Sequence, residues 1–197
     1  MRTITTQAQL AAIADDLDFV YELGANITIS GAWTPIVTQV NPFTGSLDGK
    51  GYSISGLTMD AASISYESVE ETVADVTTLK GVGYLGLFGV NAGTIQNLGV
   101  HDVNLTGTAT FSGAFSPDEI RVHAGALAGI NVGTIDHVNS TGNFSFLSID
   151  ARVRAGGLVG LNSSGTVSNS ESSVNIAVTT NSSKVATGGL VGESEGT

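Results

Sequence analysis

Apolar side chains take every second position in two stretches of the chain, at Ile27 and Ile29 (NITIS) and at Val174, Ile176 and Val178 (VNIAV). A period of two belongs to a strand with one face turned inward and the other to solvent. Shorter apolar runs, GLFGV at 86–90, ALAGI at 126–130 and GGLVGL at 156–161, lead into Asn and Gly, the residues that turn a chain. The start reads differently. Thr6 and Gln9 have the spacing of a capping box, and Leu10, Ile13, Ala14 and Leu17 share one helical face, which predicts a short amphipathic helix over about 7–18.

The runs belong to a repeat. GLFGVNAGTIQNL at 86–98 returns as ALAGINVGTIDHV at 126–138 and as GGLVGLNSSGTVSNS at 156–170, and a fourth copy, GGLVGESEGT, occupies 188–197. The anchoring glycines Gly89, Gly129, Gly160 and Gly192 are spaced by 40, 31 and 32 residues, the first interval lengthened by an insertion over 111–120. Each copy has one grammar: a short apolar strand, a glycine, an apolar residue, usually Asn, a Gly-Thr corner, then an alternating strand. A unit of about 31 residues cannot bury its own apolar face, so it must stack on copies of itself. With strands about 4.8 Å apart, five or six coils make a rod of roughly 25 to 30 Å. The expected architecture is all-β: a right-handed parallel β-helix (β-solenoid) whose first coil is covered by the N-terminal helix, since an open edge invites end-to-end pairing. As one continuous domain it divides into a cap at 1–20, irregular first coils at 21–80 and regular coils at 81–197, the last incomplete. Inward Leu87, Phe88, Leu127, Ile135, Leu158 and Val167 are the expected core. Asn91, Asn131 and Asn162 recur at one corner, either as separate turn residues or as an internal amide ladder.

Composition narrows the function. Only 13% of residues are charged and 6% aromatic, so small uncharged polar groups carry the surface, which suits strands and tight turns. Seven Lys and Arg against 18 Asp and Glu give a net charge of -11, which repels a phosphate backbone and makes nucleic acid an unsuitable partner. No run of 18 apolar residues predicts membrane insertion, and MRTITTQAQ at 1–9 lacks the apolar core of a signal peptide. The absence of cysteine removes disulfides and thiolate chemistry.

The copies at 86–197 resemble the GLUG-type repeats (GGLVG...GTI...) of bacterial surface adhesins, filamentous-haemagglutinin-like proteins and the non-catalytic region of some IgA-specific metallopeptidases. The stretch before them is similar to the leader that often precedes such repeats, with Trp33, Pro35, Phe43, Gly45, Asp48, Gly49, Gly51, Ile54 and Leu57 on the family pattern. The resemblance implies a right-handed parallel β-helix with structural, adhesive or spacer duties and no catalytic residue on these positions. Two departures stand out: the missing signal peptide ahead of the leader, and an acidic insertion over 61–80 carrying Glu67, Glu70, Glu71 and Asp75, read as a projecting loop or short helix. Similar solenoids in phage fibres and decorations need no export signal, and the start at Met1 favours that setting.

Several motifs have a chemical reading, and each is weighed against the repeat. Gly81, Gly83 and Gly86 satisfy G-x-G-x-x-G, but a strand and a corner follow where a dinucleotide site needs a helix. Ser194 sits in G-x-S-x-G, yet it fills the place of the repeat's Asn. His101, His123 and His137 lack the spacing of a helical zinc pair and are expected on the rod's flank. Asp102 with Asp136, or Asp48 with Asp60, would be the acid pair of a carbohydrate-cleaving site, since stacking aligns residues one period apart. Asp15, Asp16 and Asp18 form no calcium loop, and the Thr106, Thr108 and Thr110 array recurs in no other coil. The expected function is therefore a non-enzymatic structural or attachment module without cofactor or metal, in a virion fibre or decoration or a bacterial surface adhesin. Its partners would be other surface or virion subunits, itself as a homo-oligomer, or a host-surface glycan. The rival reading is a carbohydrate-binding or carbohydrate-cleaving β-helix protein.

Overall fold

Every extended ladder except one is parallel, so neighbouring strands are joined by long excursions and not by hairpins. The computed structural model describes residues 1–110, 119–149, 151–181 and 184–197. In chain order the strands are β1 (Arg2–Ile4), then, after helix α1 (Gln7–Ala11), β2 (Val20–Leu23), β3 (Ile27–Thr28), β4 (Ser46–Asp48), β5 (Ser53–Ser55) and β6 (Thr58–Asp60). A hairpin of β7 (Tyr66–Val73) and β8 (Val76–Leu85) leads into β9 (Phe88–Asn91) and β10 (Thr94–Ala109). The later passes are β11 (Ile120–Ala124), β12 (Ala128–Asn131) and β13 (Thr134–Ser148), then β14 (Arg152–Gly156), β15 (Val159–Asn162), β16 (Thr166–Ser168) and β17 (Glu171–Thr180), and last β18 (Val185–Gly188) and β19 (Val191–Ser194).

These strands sort into three sheets that the chain visits in a fixed order. The first holds β8, β11, β14 and β18, the second β9, β12, β15 and β19, and the third β10, β13, β16 and β17. The first three copies thus lay strands on all three sheets and the fourth on the first two, each directly beside its predecessor. The register stacks like on like: Leu47, Ile95, Ile135 and Val167 form one column, and Met59, Leu105, Phe144 and Ile176 another. Cross-strand neighbours of the same apolar type are what hold such a sheet together. Leu87, Phe88, Leu127, Ile135 and Leu158 are fully buried. Val167 is only half-buried, because β16 ends its sheet and is covered on the far side by no further strand, only by Thr197, whose carbonyl accepts from Val167 N (2.8 Å).

The long third-sheet strands bend where a residue adopts the left-handed backbone region. Asn97 (φ 54°), His137 (φ 52°) and Asn169 (φ 47°) occupy equivalent corners after Gln96, Asp136 and Ser168. Asn and His tolerate that conformation better than most side chains.

The N-terminal helix is shorter than its apolar pattern predicts. It ends at Ala11 and tightens into a 3-10 turn over Ala12–Asp15. Three aspartates crowd its C-terminal end, where negative charge opposes the helix dipole. Leu10 and Ile13 are fully buried, whereas Ala14 is carried to the surface by the tighter winding. The cap is also shifted by one residue: Thr6 Oγ1 accepts from Gln9 N (3.3 Å), but Gln9 Oε1 accepts from Thr5 N (2.8 Å). Ahead of the helix, β1 pairs with β2, a strand the apolar pattern does not announce.

The acidic segment is neither a loop nor a helix. After a 3-10 turn at Ala61–Ser63, β7 and β8 form an antiparallel hairpin, with Tyr66 opposite Gly83 and Val73 opposite Val76. Its two turn residues, Ala74 (φ 50°) and Asp75 (φ 63°), both have positive φ, as a two-residue hairpin turn of matching twist requires. The leader supplies an early partner for the second sheet: Ile36 bridges to Phe88 and Phe43 to Asn91, and Trp33 Nε1 donates to the Leu87 carbonyl (3.1 Å). Residues 111–118 of the expected insertion lie outside the described residues, and Ile120 already belongs to β11.

Candidate functional site

The first and second sheets face each other across an open cleft of about 600 Å³, with the hairpin along one side. One wall carries His123 and Arg154, on adjacent strands β11 and β14, with Tyr84 of β8 the next residue of their column, buried behind the lining. The other is the column Val90, Ile130, Leu161 and Glu193, on β9, β12, β15 and β19. Val69 of the hairpin packs with Val82, Tyr84, Val90, Ile130 and Leu161 to give the cleft a floor of its own, separate from the main core.

Glu193 breaks that apolar column, and the opposite wall answers it. Arg154 Nε donates to Glu193 Oε2 at 2.5 Å, and Arg152 Nη2 donates to both carboxylate oxygens at 3.1 and 3.0 Å. The Arg154 side chain is 5% exposed, so the carboxylate is what makes its burial tolerable. Hydrogen bonding from Arg154 holds the Glu193 carboxyl below its usual range. On the hairpin, Glu71 Oε2 accepts from Arg121 Nη2 at 2.6 Å, and that bond likewise lowers the Glu71 carboxyl. Tyr84 Oη donates to Glu67 Oε1 (2.5 Å), and its pKa is raised, by burial first and then by that carboxylate.

His123 lies within this frame at 2% exposure, its ring stacked on Tyr84 with centroids 6.3 Å apart. Burial pushes its pKa far down, and Arg154, Arg121 and Arg152 push it further, so the ring is neutral. Its Nδ1 has no hydrogen-bond partner, and neither has Nε of Arg121. Of the three histidines expected on the flank, this one is interior. The fourth repeat copy carries the signal that locates the cleft: GGLVGES places Glu193 where earlier copies have Val90, Ile130 and Leu161.

Beside the cleft, the recurrent asparagines close the ends of the second-sheet strands. Asn91 Nδ2 donates to Asn131 Oδ1 and Asn131 Nδ2 donates to Asn162 Oδ1, both at 2.8 Å. Asn162 Nδ2 continues to Ser194 Oγ (3.3 Å), and the Asn131 and Asn162 amides also reach the carbonyls of Gly133 and Gly165. All three asparagines are buried. Gly89, Gly129, Gly160 and Gly192 form the adjoining column. A Cβ there would come within 2.1 to 2.9 Å of backbone in a neighbouring pass, the Gly89 carbonyl in the case of Gly129.

The remaining sites separate. Asp136 stands opposite Gln96, while Asp102 sits in the irregularity between Val100 and Val103, so stacking does not align the two. Asp48 aligns with Gln96 and Asp60 with Thr106, on different stretches of β10. Asp136 accepts from Ser168 (2.7 Å) and Asn169 (2.8 Å) and pairs with His137 (2.7 Å); these bonds lower its carboxyl to about 2. His101 meets Thr141 at 3.5 Å. Asp16 pairs with Arg2 (2.7 Å), and among the described residues no three His, Asp or Glu side chains gather as a metal site. Gly81 and Gly83 lie within β8, and Ser194 ends β19. Thr106 and Thr108 are on β10, beside Ser145 and Leu147. No helix among the described residues is long and apolar enough to cross a membrane.

Over 157 residues the chain is 30% identical to Halomucin of Haloquadratum walsbyi. That stretch takes in 76% of this chain but 1% of Halomucin, so the chain spans about one-hundredth of the relative's length. No family model matches the chain, and no solved structure matches it.

Proposed function

We propose that the three sheets are the faces of a right-handed parallel β-helix and that the chain serves as a non-enzymatic structural and attachment module at a cell surface. The observation that carries this reading is the in-register stacking itself: four successive copies superpose strand on strand and glycine on glycine, and the first three asparagine on asparagine. Sequence repetition spent on backbone geometry yields a stiff, protease-resistant spacer, and a GLUG-type repeat implies the same duty. The two acid pairs considered for glycoside cleavage are out of alignment, which favours a holding role over a cutting one. The likeness to a segment of Halomucin supports a surface setting over a virion one.

Antibody labelling of intact, unpermeabilised source cells tests the setting, with proteinase K added to test the rod. Surface label that survives the protease is expected. Label seen only after permeabilisation, or release of reducing ends from a polysaccharide panel, contradicts the reading.

A further inference from the structure

The cleft concentrates most of the molecule's few strongly basic side chains. Lys80, Arg121, Arg152 and Arg154 line it, four of only seven Lys and Arg in a chain of net charge -11. Glu193 occupies Arg154 and Arg152 from one side. Arg121 is only half used: Glu71 takes its Nη2, while the adjacent Nε, buried in the cleft wall, donates to nothing. A guanidinium nitrogen can only donate, and Nε with Nη2 forms the side-on fork that a planar carboxylate fits with two parallel hydrogen bonds. The neighbouring His123 Nδ1, also buried and unpartnered, is a second position for the same acceptor, because a neutral imidazole can place its proton on either nitrogen. Both unmet positions thus lie two residues apart on β11, in the lining of the same cleft.

We propose that the cleft receives the carboxylate of an acidic ligand of about sugar size, such as a uronate, and that Glu71 on the hairpin holds Arg121 in its place while the cleft is empty. The ligand's carboxylate takes the Nε and Nη2 fork of Arg121, displacing the single Glu71 contact, and turns the His123 proton toward itself. The apolar column Val90, Ile130 and Leu161 meets the ligand's less polar face. A volume near 600 Å³ is within the usual range for small-ligand pockets. Glu70 and Glu195 at the exposed rim repel further negative charge, so the site selects one carboxylate and rejects a polyanion. This inference goes beyond the scaffold role and stands or falls apart from it.

The test is nitrogen-15 NMR of the Arg121 Nε and His123 ring signals during titration with glucuronate and with glucose, which differ at the carboxylate alone. Glucuronate should move both signals and glucose neither. Glu71→Gln, which weakens the internal competitor, should tighten glucuronate binding by about two- to fivefold, as loss of a part-exposed ion pair would. Arg121→Lys keeps the charge but lacks the fork, so it should bind glucuronate weakly while melting like the parent; Arg121→Gln should not bind it. Equal responses to the two sugars, no response to either, or an unchanged or weaker affinity in Glu71→Gln would overturn the proposal.

Discussion

Asn131 donates its side-chain amide to Asn162 at 2.8 Å while accepting from Asn91 at the same distance. Each amide therefore satisfies the next, and none is left to water inside the fold. The ladder ties three passes of chain together at one edge of the cleft, and it sets the register on which the facing columns depend.

Replacing Asn131 with Ala leaves a donor on Asn91 and an acceptor on Asn162 without their partner. The expected loss is about 2 to 4 kcal/mol of unfolding free energy, read by urea titration. Asn162→Ala should cost less, since its onward partners, Ser194 and Thr197, belong to the exposed last pass.

Glu193→Leu restores the apolar column of the earlier repeats but strands the buried Arg154. It should destabilise by about 3 kcal/mol, whereas the double change Glu193→Leu with Arg154→Val should lie within about 1 kcal/mol of the parent, because a buried pair is costly to halve and cheap to replace. A thermodynamic cycle with additive losses would contradict the pairing.

His123 predicts a pH dependence. Its folded pKa lies well below the ordinary 6.5, so the unfolded chain binds the proton first. Stability is therefore full above about 6.5 and falls as the pH drops below that value. His123→Phe keeps the stack on Tyr84 and should flatten this part of the curve; an unchanged slope would place the effect elsewhere.

Two glycines within the repeats should respond oppositely to an added methyl group. A Cβ on Gly133 would lie 2.1 Å from the Gly93 carbonyl of the pass before, while a Cβ on Gly189 meets no atom within 4 Å. Gly133→Ala is expected to cost about 2 to 4 kcal/mol and Gly189→Ala no more than about 0.5. Comparable midpoints in chemical denaturation would contradict the close stacking at Gly133.

The period of the repeat was readable because its cause is backbone geometry. Gly89, Gly129, Gly160 and Gly192 recur where a side chain has no room, and Asn91, Asn131 and Asn162 recur beside them. The apolar residues that stack in columns, Ile95 on Ile135 on Val167, carry the same period. What failed to show was anything outside it. In the hairpin the inward positions alternate Val69 with Glu71, so the strand pattern is broken by a carboxylate whose partner, Arg121, is 50 residues away. β1 is three residues with one buried side chain, too short to declare a period. The cleft is illegible for a related reason. Arg121, Arg152 and Arg154 converge on Glu71 and Glu193 only through the register of sheets that lie far apart in sequence. Asp102 and Asp136 illustrate the converse: they are 34 residues apart, whereas the register of β10 on β13 sets Gln96 beside Asp136, an offset of 40.

Nuclear Overhauser contacts between amide and α protons across β13 and β17 test the in-register parallel stacking most directly. The account predicts the parallel pattern, with Asn143 beside Asn175, Phe144 beside Ile176 and Phe146 beside Val178. Close α-proton pairs of an antiparallel ladder, or a register offset that separates Phe144 from Ile176, would contradict it.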